Sequence, residues 1–283
     1  MTSIKITPEM VKILRERTGV GMGKCKEALD QASGDVEKAI DLLRKAGMAS
    51  AVKKEGRETK EGVVVFTETP THVAVVEINA ETDFVVHNDR FKQFATEVVE
   101  QAARTNPSSL ESFLSQKSDQ DPSLSLDEYR AVVMQSIGEN IKIKRLQIFA
   151  KTGHESFGIY SHLGGKIVTL VELSSPSQEM LAKEIAVHVA AEAPEYLNVE
   201  DIPADIKARE EEIARDQVKG KPEAVIGKIV AGKMDAFFDQ VCLLRQRFIK
   251  DDSLTITNLL ENASKETGHP VTLKQFIRWK VGE

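Results

Sequence analysis

The sequence predicts an α+β fold, in which helices and small antiparallel sheets occupy separate stretches of the chain. Three observations support this prediction. Helical periodicity with start and stop signals fills the first 47 residues, a pattern of two strands followed by a helix occurs twice, and two long amphipathic segments follow Pro203 with a short polar turn between them. We therefore expect an N-terminal three-helix bundle, a duplicated core, and an antiparallel hairpin of helices inserted in the second half of that core.

The bundle is predicted from three amphipathic segments. Thr7 suits the N-cap of the first helix because Pro8 follows it at the first helical position, and Gly34 and Gly47 suit the ends of the second and third helices. Apolar residues recur at three- and four-residue spacing in each segment, as expected for helices that share one small core. The charged stretch 49–61 lacks this spacing, which favours a linker.

A unit of two strands and a helix is predicted twice. Its first copy lies at 62–68, 72–79 and 89–104, and its second copy at 158–166, 167–173 and 178–193. Between the second strand and the helix, the first copy holds eight residues more than the second, within 81–89. Because the second copy forms the same scaffold without these residues, we expect the insertion to serve function, as loops on rigid scaffolds often do.

The remaining segments complete the predicted architecture. The stretch 106–121 is rich in Ser, Asp and Pro and is predicted to be mobile, and a helix from Leu126 towards Asn140 follows it. The helical hairpin at 204–242 has an apolar seam and charged outer faces, typical of an antiparallel coiled coil. These boundaries predict a bundle with its linker at 1–54, a first core subdomain at 55–140, and a second core subdomain at 141–283 that contains the hairpin.

Composition argues against several classes of protein. Apolar residues make up 41% of the chain, which excludes wholesale disorder, and the formal charge of −6 argues against a surface built to neutralise phosphates. Cys25 and Cys242 lie far apart without partner cysteines, which fits a reducing compartment and not a metal knuckle. Since no leader or membrane-spanning apolar stretch is found, we expect a cytoplasmic protein that binds neither membranes nor nucleic acid directly.

Patterns typical of catalytic and metal sites are missing from the sequence. The six histidines show no metal-ligand spacing, and Gly19–Lys24 departs from the spacing of a phosphate-binding loop. Glu81 and Asp83 could imitate an acid/base pair, but the sequence around them supplies no further catalytic group. We therefore predict that the chain is not an enzyme and has no catalytic residue, metal site or cofactor.

Phe84, within the insertion, has two competing interpretations. An aromatic side chain just before a helix often fills the core and fixes the start of that helix. Its place in a segment that the scaffold does not need favours the opposite interpretation, in which the ring is exposed and anchors a partner protein.

Three motifs, in this order along the chain, resemble the bacterial elongation factor Ts family: Leu14–Met22 (LRERTGVGM), Thr82–Val85 (TDFV) and Ile137–Asn140 (IGEN). The resemblance implies a bundle similar to a ubiquitin-associated (UBA) domain and an antiparallel coiled coil. It also implies a guanine nucleotide exchange factor for elongation factor Tu in translation elongation. Such a factor binds the GDP-bound and nucleotide-free forms of its partner, displaces Mg²⁺, and promotes GDP release so that GTP can bind.

The resemblance further implies which residues contact elongation factor Tu. Contacts that displace Mg²⁺ are assigned to Thr82, Asp83, Phe84 and Val85. Other contacts are assigned to Arg15 and Met22 of the bundle and to Ile137, Gly138 and His162 of the core. Gly23 stands where the family often has a second methionine, which implies a weaker apolar grip by the bundle.

An RNA- or ribosome-associated binding protein without exchange activity is the alternative function that the sequence leaves open. Binding of that kind would weaken steeply as the salt concentration rises. The acidic balance of the chain counts against it.

Overall fold

The structure, a computed structural model, describes residues 6–220 and 222–283, and for residues 223 and 224 it describes the backbone alone. The chain divides into two units. The first unit runs up to Lys151 and also includes Lys280–Glu283, and the second comprises Thr152–Trp279. Both units combine helices with small sheets, which confirms the predicted α+β class.

Three helices form the N-terminal bundle: α1 (Pro8–Thr18), α2 (Met22–Gln31) and α3 (Val36–Lys54). At the start of α1, the Thr7 hydroxyl accepts a hydrogen bond from the backbone N–H of Met10 at 3.3 Å, which is the N-cap contact that the sequence predicts. The helices share a core that includes Leu14, Leu29 and Leu43. The likeness of this bundle to a UBA domain stays a prediction.

Helix α3 is longer than the sequence predicted. The expected linker is helical up to Lys54, and Gly47, the predicted end of the helix, lies inside it. Gly47 allows a neighbouring helix to approach α3 closely, because a Cβ atom at this position would lie 2.8 Å from Oε1 of Gln135 on that helix. Farther along α3, Met48 and Ala51 pack with the hydrophobic core of the first unit. The bundle is therefore joined to this core by a packed helix and not by a tether.

The first unit contains a three-stranded antiparallel sheet of order β1-β2-β3. Helix α5 packs on this sheet through Phe91, Phe94 and Val98. The pairing of β3 with β2 places β3 in the first unit, whereas the sequence-based division assigned it to the second core subdomain. The elements are β1 (Glu61–Glu68), β2 (His72–Ala80), α4 (Asp83–Val86), α5 (Asp89–Thr105), α6 (Leu110–Ser115), α7 (Leu126–Ile137) and β3 (Ile141–Ala150).

The stretch 106–121, predicted to be mobile, contains an ordered helix. Helix α6 begins with a capping box, in which the side chains of Ser109 and Ser112 each accept a hydrogen bond from the backbone of the other. Phe113 is fully buried in the core. Leu110 and Leu114 pack against the same core. The burial of these apolar side chains offsets the loss of chain entropy and anchors the helix.

The second unit repeats the hairpin-plus-helix arrangement with β4, β5 and α8, and its sheet has the order β4-β5-β8. Strand β4 and helix α8 touch at Gly158, where a Cβ atom would lie 2.0 Å from the backbone of Ala182. The elements are β4 (Ser156–His162), β5 (Ile167–Leu173), α8 (Glu179–Glu192), α9 (Ala204–Asp216), α10 (Glu223–Val241), β6 (Arg247–Phe248), β7 (Asp251–Thr255), α11 (Ile256–Thr267) and β8 (Leu273–Lys280).

The eight extra residues of the first copy are spread over three places and are not a single loop. Strand β2 extends two residues past Ile78, the counterpart of the last residue of β5. The connection to the helix is three residues longer, and α5 begins three residues earlier than α8 relative to the matched pair Phe94 and Leu181. The longer connection contains α4.

Helices α9 and α10 form the predicted antiparallel hairpin. Near the turn, Ala214 and Val218 pack with Val230. At the opposite end, Ile206 and Phe238 both pack against the cluster of Ile202, Val241 and Cys242. Residue 221, in the turn, lies outside the described residues. None of the helices in the described ranges is both long and apolar enough to cross a membrane.

Candidate functional site

Helix α4 presents Phe84 on the surface of the first unit. It is a single turn in which Val85 and Val86 enter the hydrophobic core, while Asp83 and Phe84 face outward. The Phe84 side chain is 84% exposed, the highest value among the exposed large apolar residues that the structure describes. The interpretation of Phe84 as a core residue is therefore wrong, because the two valines that follow it anchor the turn instead.

Two acidic side chains hold the start of α4. The Glu139 carboxylate accepts hydrogen bonds from the backbone N–H of Thr82 at 3.0 Å and from the Thr82 hydroxyl at 2.7 Å. The Glu81 carboxylate accepts one from the backbone N–H of Asn140 at 2.6 Å. We call Glu81, Thr82, Glu139 and Asn140 the loop clamp. Hydrogen bonds to ionised acceptors are stronger than those between neutral groups, so the clamp fixes the residue from which α4 starts.

Ile137 and Gly138, two of the predicted contact residues, directly precede the clamp. Helix α7 ends at Ile137, which is half-buried, and Gly138 is exposed with a φ of 97°. That conformation suits glycine. Its backbone N–H donates to the carbonyl of Met134 at 2.8 Å. The fold thus joins the TDFV and IGEN motifs at one junction, although they lie far apart in the sequence.

The end of helix α3 supports this junction from a third side. The Lys54 ammonium donates a hydrogen bond to the carbonyl of Gly138 at 2.6 Å. Asn140 is fully buried, and its side-chain amide donates to the carbonyl of Arg57 at 3.0 Å. The Arg57 guanidinium pairs with Glu81 at 3.3 Å. Partial burial, with a smaller contribution from the nearby charge of Arg57, lowers the pKa of Lys54.

Sequence reasoning missed the residues that hold the site. It weighed Glu81 and Asp83 as an acid/base pair, yet Glu81 binds the backbone of Asn140 while Asp83 faces outward. Nothing in the sequence singles out Glu139 beyond its place in the IGEN motif. The one signal available was the joint occurrence of the two motifs, because residues this far apart in sequence are brought into contact only by the tertiary fold.

The two predicted contact residues of the bundle lie on its surface. Met22, the first residue of α2, is 58% exposed. Arg15 is exposed and has no ion-pair partner within the part of the chain that the structure describes, whereas Arg17 pairs with Glu37 at 2.6 Å. Arg15 and Met22 are therefore accessible to a partner protein.

His162 lies in the second unit, at the end of β4. Its side chain is exposed, and its Nδ1 atom lies 3.0 Å from the hydroxyl of Tyr160. The two rings are 5.9 Å apart between centroids. Tyr160 therefore restrains the orientation of the imidazole at the surface.

The described residues include no group of three or more His, Cys, Asp or Glu side chains placed to hold a metal ion. What the described surface does offer is an exposed aromatic residue on a braced turn, together with exposed side chains on the bundle and on the second unit. Such features are suited to recognising another protein.

A family model and individual relatives of this chain point to the same family. The family model described as "Elongation factor TS" matches residues 81–283. Elongation factor Ts of Protochlamydia amoebophila (strain UWE25) is 57% identical over 279 residues, which cover 98% of this chain and 99% of the relative. Elongation factor Ts of Chlamydia caviae is 50% identical and that of Chlamydia felis 48% identical, each covering 97% of this chain and 98% of the relative.

Proposed function

The chain belongs to the elongation factor Ts family, and we propose that it is a guanine nucleotide exchange factor for elongation factor Tu. It binds the GDP complex, promotes release of GDP, and stays on the nucleotide-free form until GTP binds. This activity belongs to translation elongation in the cytoplasm. The observation that carries the proposal is the exposed side chain of Phe84, held on a turn that the loop clamp braces.

We propose that Phe84 acts at the magnesium site of the partner. A GTPase of this kind holds its nucleotide through backbone amides, a lysine, and a Mg²⁺ ion that bridges the phosphates. The ring of Phe84 enters an apolar pocket beside the ion, and the shift of the pocket displaces the Mg²⁺. Nucleotide affinity falls because the phosphates lose a bridging cation.

Asp83, Thr82 and Val85 have different parts in this step. The exposed Asp83 brings a negative charge close to the phosphates, and repulsion between them favours the nucleotide-free state. Thr82 is fixed by Glu139, and the buried Val85 fixes the turn to the core. The last two therefore act through the placement of Phe84.

Phe84 supplies only part of the free energy for exchange. Burial of one phenylalanine contributes about 1.5–3 kcal/mol, which corresponds to about 10- to 100-fold in affinity. The remainder comes from Arg15 and Met22 of the bundle and from Ile137, Gly138 and His162 of the core. Contacts spread over several surfaces explain why the factor uses both of its units.

Exchange of this kind needs no chemical step in the factor itself. A bound factor lowers nucleotide affinity by the free energy with which it prefers the nucleotide-free partner, and bound nucleotide weakens the factor equally. The chain is therefore a binding protein and not an enzyme.

Stopped-flow fluorescence tests the proposed function. Elongation factor Tu is loaded with a fluorescent GDP analogue and mixed with unlabelled GDP and increasing concentrations of the chain. We expect the release rate to rise with the concentration of the chain and to reach a plateau, as for a saturable complex. A release rate that does not respond to the chain would refute the proposal, and RNA binding with a steep salt dependence would then support the alternative function.

A further inference from the structure

The turn between β4 and β5 has an uncommon backbone. Leu163, Gly164 and Gly165 all have positive φ angles, of 49°, 64° and 92°. Glycine adopts this left-handed region at little cost, because it has no Cβ atom. Leucine does so rarely, because its Cβ crowds the following carbonyl oxygen.

Burial of the Leu163 side chain does not compensate for this unfavourable backbone conformation. Leu163 is 69% exposed, and the turn residues next to it, His162 and Gly164, are exposed as well. Glycine or asparagine would suit the backbone of this position better than leucine does. The stability of the fold therefore does not explain why leucine occupies it, and an unfavourable backbone at an exposed site points to a function.

The backbone of the turn is restrained on both sides of Leu163. The backbone N–H of Lys166 donates to the carbonyl of Leu163 at 3.4 Å. Before the turn, His162 contacts the Tyr160 hydroxyl at 3.0 Å. Strands β4 and β5 are paired up to His162 and Ile167, which flank the turn. Leu163 is thus an apolar tip on a short connection between two paired strands.

We propose that Leu163 is an apolar anchor of the second unit that inserts into a pocket of elongation factor Tu. This inference rests on the proposed function, which requires contacts beyond Phe84, and on the position of Leu163 beside His162. A protruding leucine suits a preformed pocket on a partner that other contacts already hold. A self-association interface would need about 1,200 Å² or more of buried surface, which one side chain on a polar turn does not supply.

The substitution Leu163→Gly tests the proposal. Glycine relieves the backbone, so the variant should unfold at the same temperature as the wild type or at a higher one. We expect its Kd for nucleotide-free elongation factor Tu to rise about tenfold, as for the loss of one buried leucine. A Kd within twofold of the wild-type value would overturn the inference.

Met180→Ala is the matched control. Met180 is 80% exposed in the first turn of α8, in the same unit, and has no assigned role. Its replacement should leave the Kd unchanged, and equal losses in both variants would also contradict a specific role for Leu163. Sedimentation of the free chain completes the test, since a change in self-association caused by Leu163→Gly would assign this side chain to a second copy instead.

The wild-type release assay separates the two ideas. If the wild-type chain does not accelerate GDP release, the proposed function fails. If it does so and Leu163→Gly binds as tightly as the wild type, only the role of Leu163 fails.

Discussion

At the scale of single residues, neighbouring side chains within one helical turn have different roles in the candidate site. Val85 and Val86 bury their side chains and fix α4 to the core, which leaves Phe84 exposed. Glu139 fixes Thr82 through two hydrogen bonds, at 3.0 and 2.7 Å. The braced turn loses little further backbone freedom when Phe84 binds a partner, and this preorganisation favours affinity.

Removal of the Glu139 carboxylate should slow nucleotide exchange, because Phe84 is then no longer held in place. We expect Glu139→Ala to lower the factor-stimulated GDP release rate about tenfold, because the charged acceptor for Thr82 is lost. In a Phe84→Ala background the same substitution should slow release less than it does in the wild type, since only Asp83 is left as an exposed side chain for the turn to position. Stopped-flow release by the four proteins of this cycle provides the measurement.

The conservative variant and the folded state are the controls for this cycle. Glu139→Gln keeps one of the two acceptor oxygens for Thr82 and places an NH2 group at the other, so it should recover only part of the rate. Thermal unfolding shows whether each variant is folded. Equal slowing by Glu139→Ala in both backgrounds would mean that Glu139 acts independently of Phe84.

The sequence indicated the proposed contact residues of the site more readily than the residues that hold them in place. The insertion and the motifs led to Phe84, Ile137 and Gly138. The pairing of Glu139 with Thr82 was not predicted, because hydrogen bonds between distant positions depend on how α7 and β2 end beside each other. The local pattern around Glu81 instead suggested an acid/base pair with Asp83, which the fold does not form.

At the scale of elements, helix α3 connects the bundle to the candidate site. Its N-terminal part belongs to the bundle core, and its last turns carry Met48 and Ala51, which pack with the core of the first unit. Its end carries Lys54, which binds the carbonyl of Gly138. The helix therefore supports the junction where the two motifs meet.

Two truncations should separate these roles. Deletion of residues 1–46 removes the bundle and the 2.5 Å ion pair between Arg44 and Asp121 but keeps Met48, Ala51 and Lys54. We expect this variant to unfold cooperatively and to bind elongation factor Tu more weakly. Deletion of residues 1–54 should cost at least about 2 kcal/mol more of the free energy of unfolding, because buried side chains are lost as well.

Denaturant unfolding and a binding titration measure both effects. If the shorter deletion abolishes cooperative unfolding, the bundle is part of the core and not an attached module. If the two deletions are equally stable, the last turns of α3 do not support the core.

Errors in the predicted elements share one physical origin. Gly47 was interpreted as a helix end, whereas it allows α3 to approach Gln135 closely. The polar stretch that contains α6 was predicted to be mobile, although Phe113 anchors it. In both cases a tertiary contact overrode the local preference of the chain. The capped helix α1 and the helical hairpin with its periodic apolar seam were predicted correctly.

At the scale of the whole molecule, function is proposed to come from several surfaces acting on one partner. The family model covers residues 81–283, and relatives such as that of Protochlamydia amoebophila match nearly the full length, including the bundle. In the proposal, each surface adds free energy that favours the nucleotide-free partner, and no single contact accounts for exchange.

Linkage between GDP and the chain on one partner predicts a quantitative symmetry. The factor by which the chain weakens GDP binding to elongation factor Tu should equal the factor by which GDP weakens binding of the chain, because the coupling free energy is shared. The measurement needs four Kd values: that of GDP with and without the chain, and that of the chain with and without GDP. They are obtained by titration with a fluorescent GDP analogue and a labelled chain. If GDP and the chain left each other's Kd for elongation factor Tu unchanged, the proposed coupling would be contradicted.

The central claim is that the Phe84 ring drives nucleotide release, and GDP release at saturating factor tests it most directly. Phe84→Ala should slow the plateau rate by about 10- to 100-fold, while the complex still forms through its other contacts. Phe84→Leu keeps an apolar side chain, so its plateau rate should lie between those of the wild type and Phe84→Ala. A plateau rate for Phe84→Ala equal to that of the wild type would contradict the account.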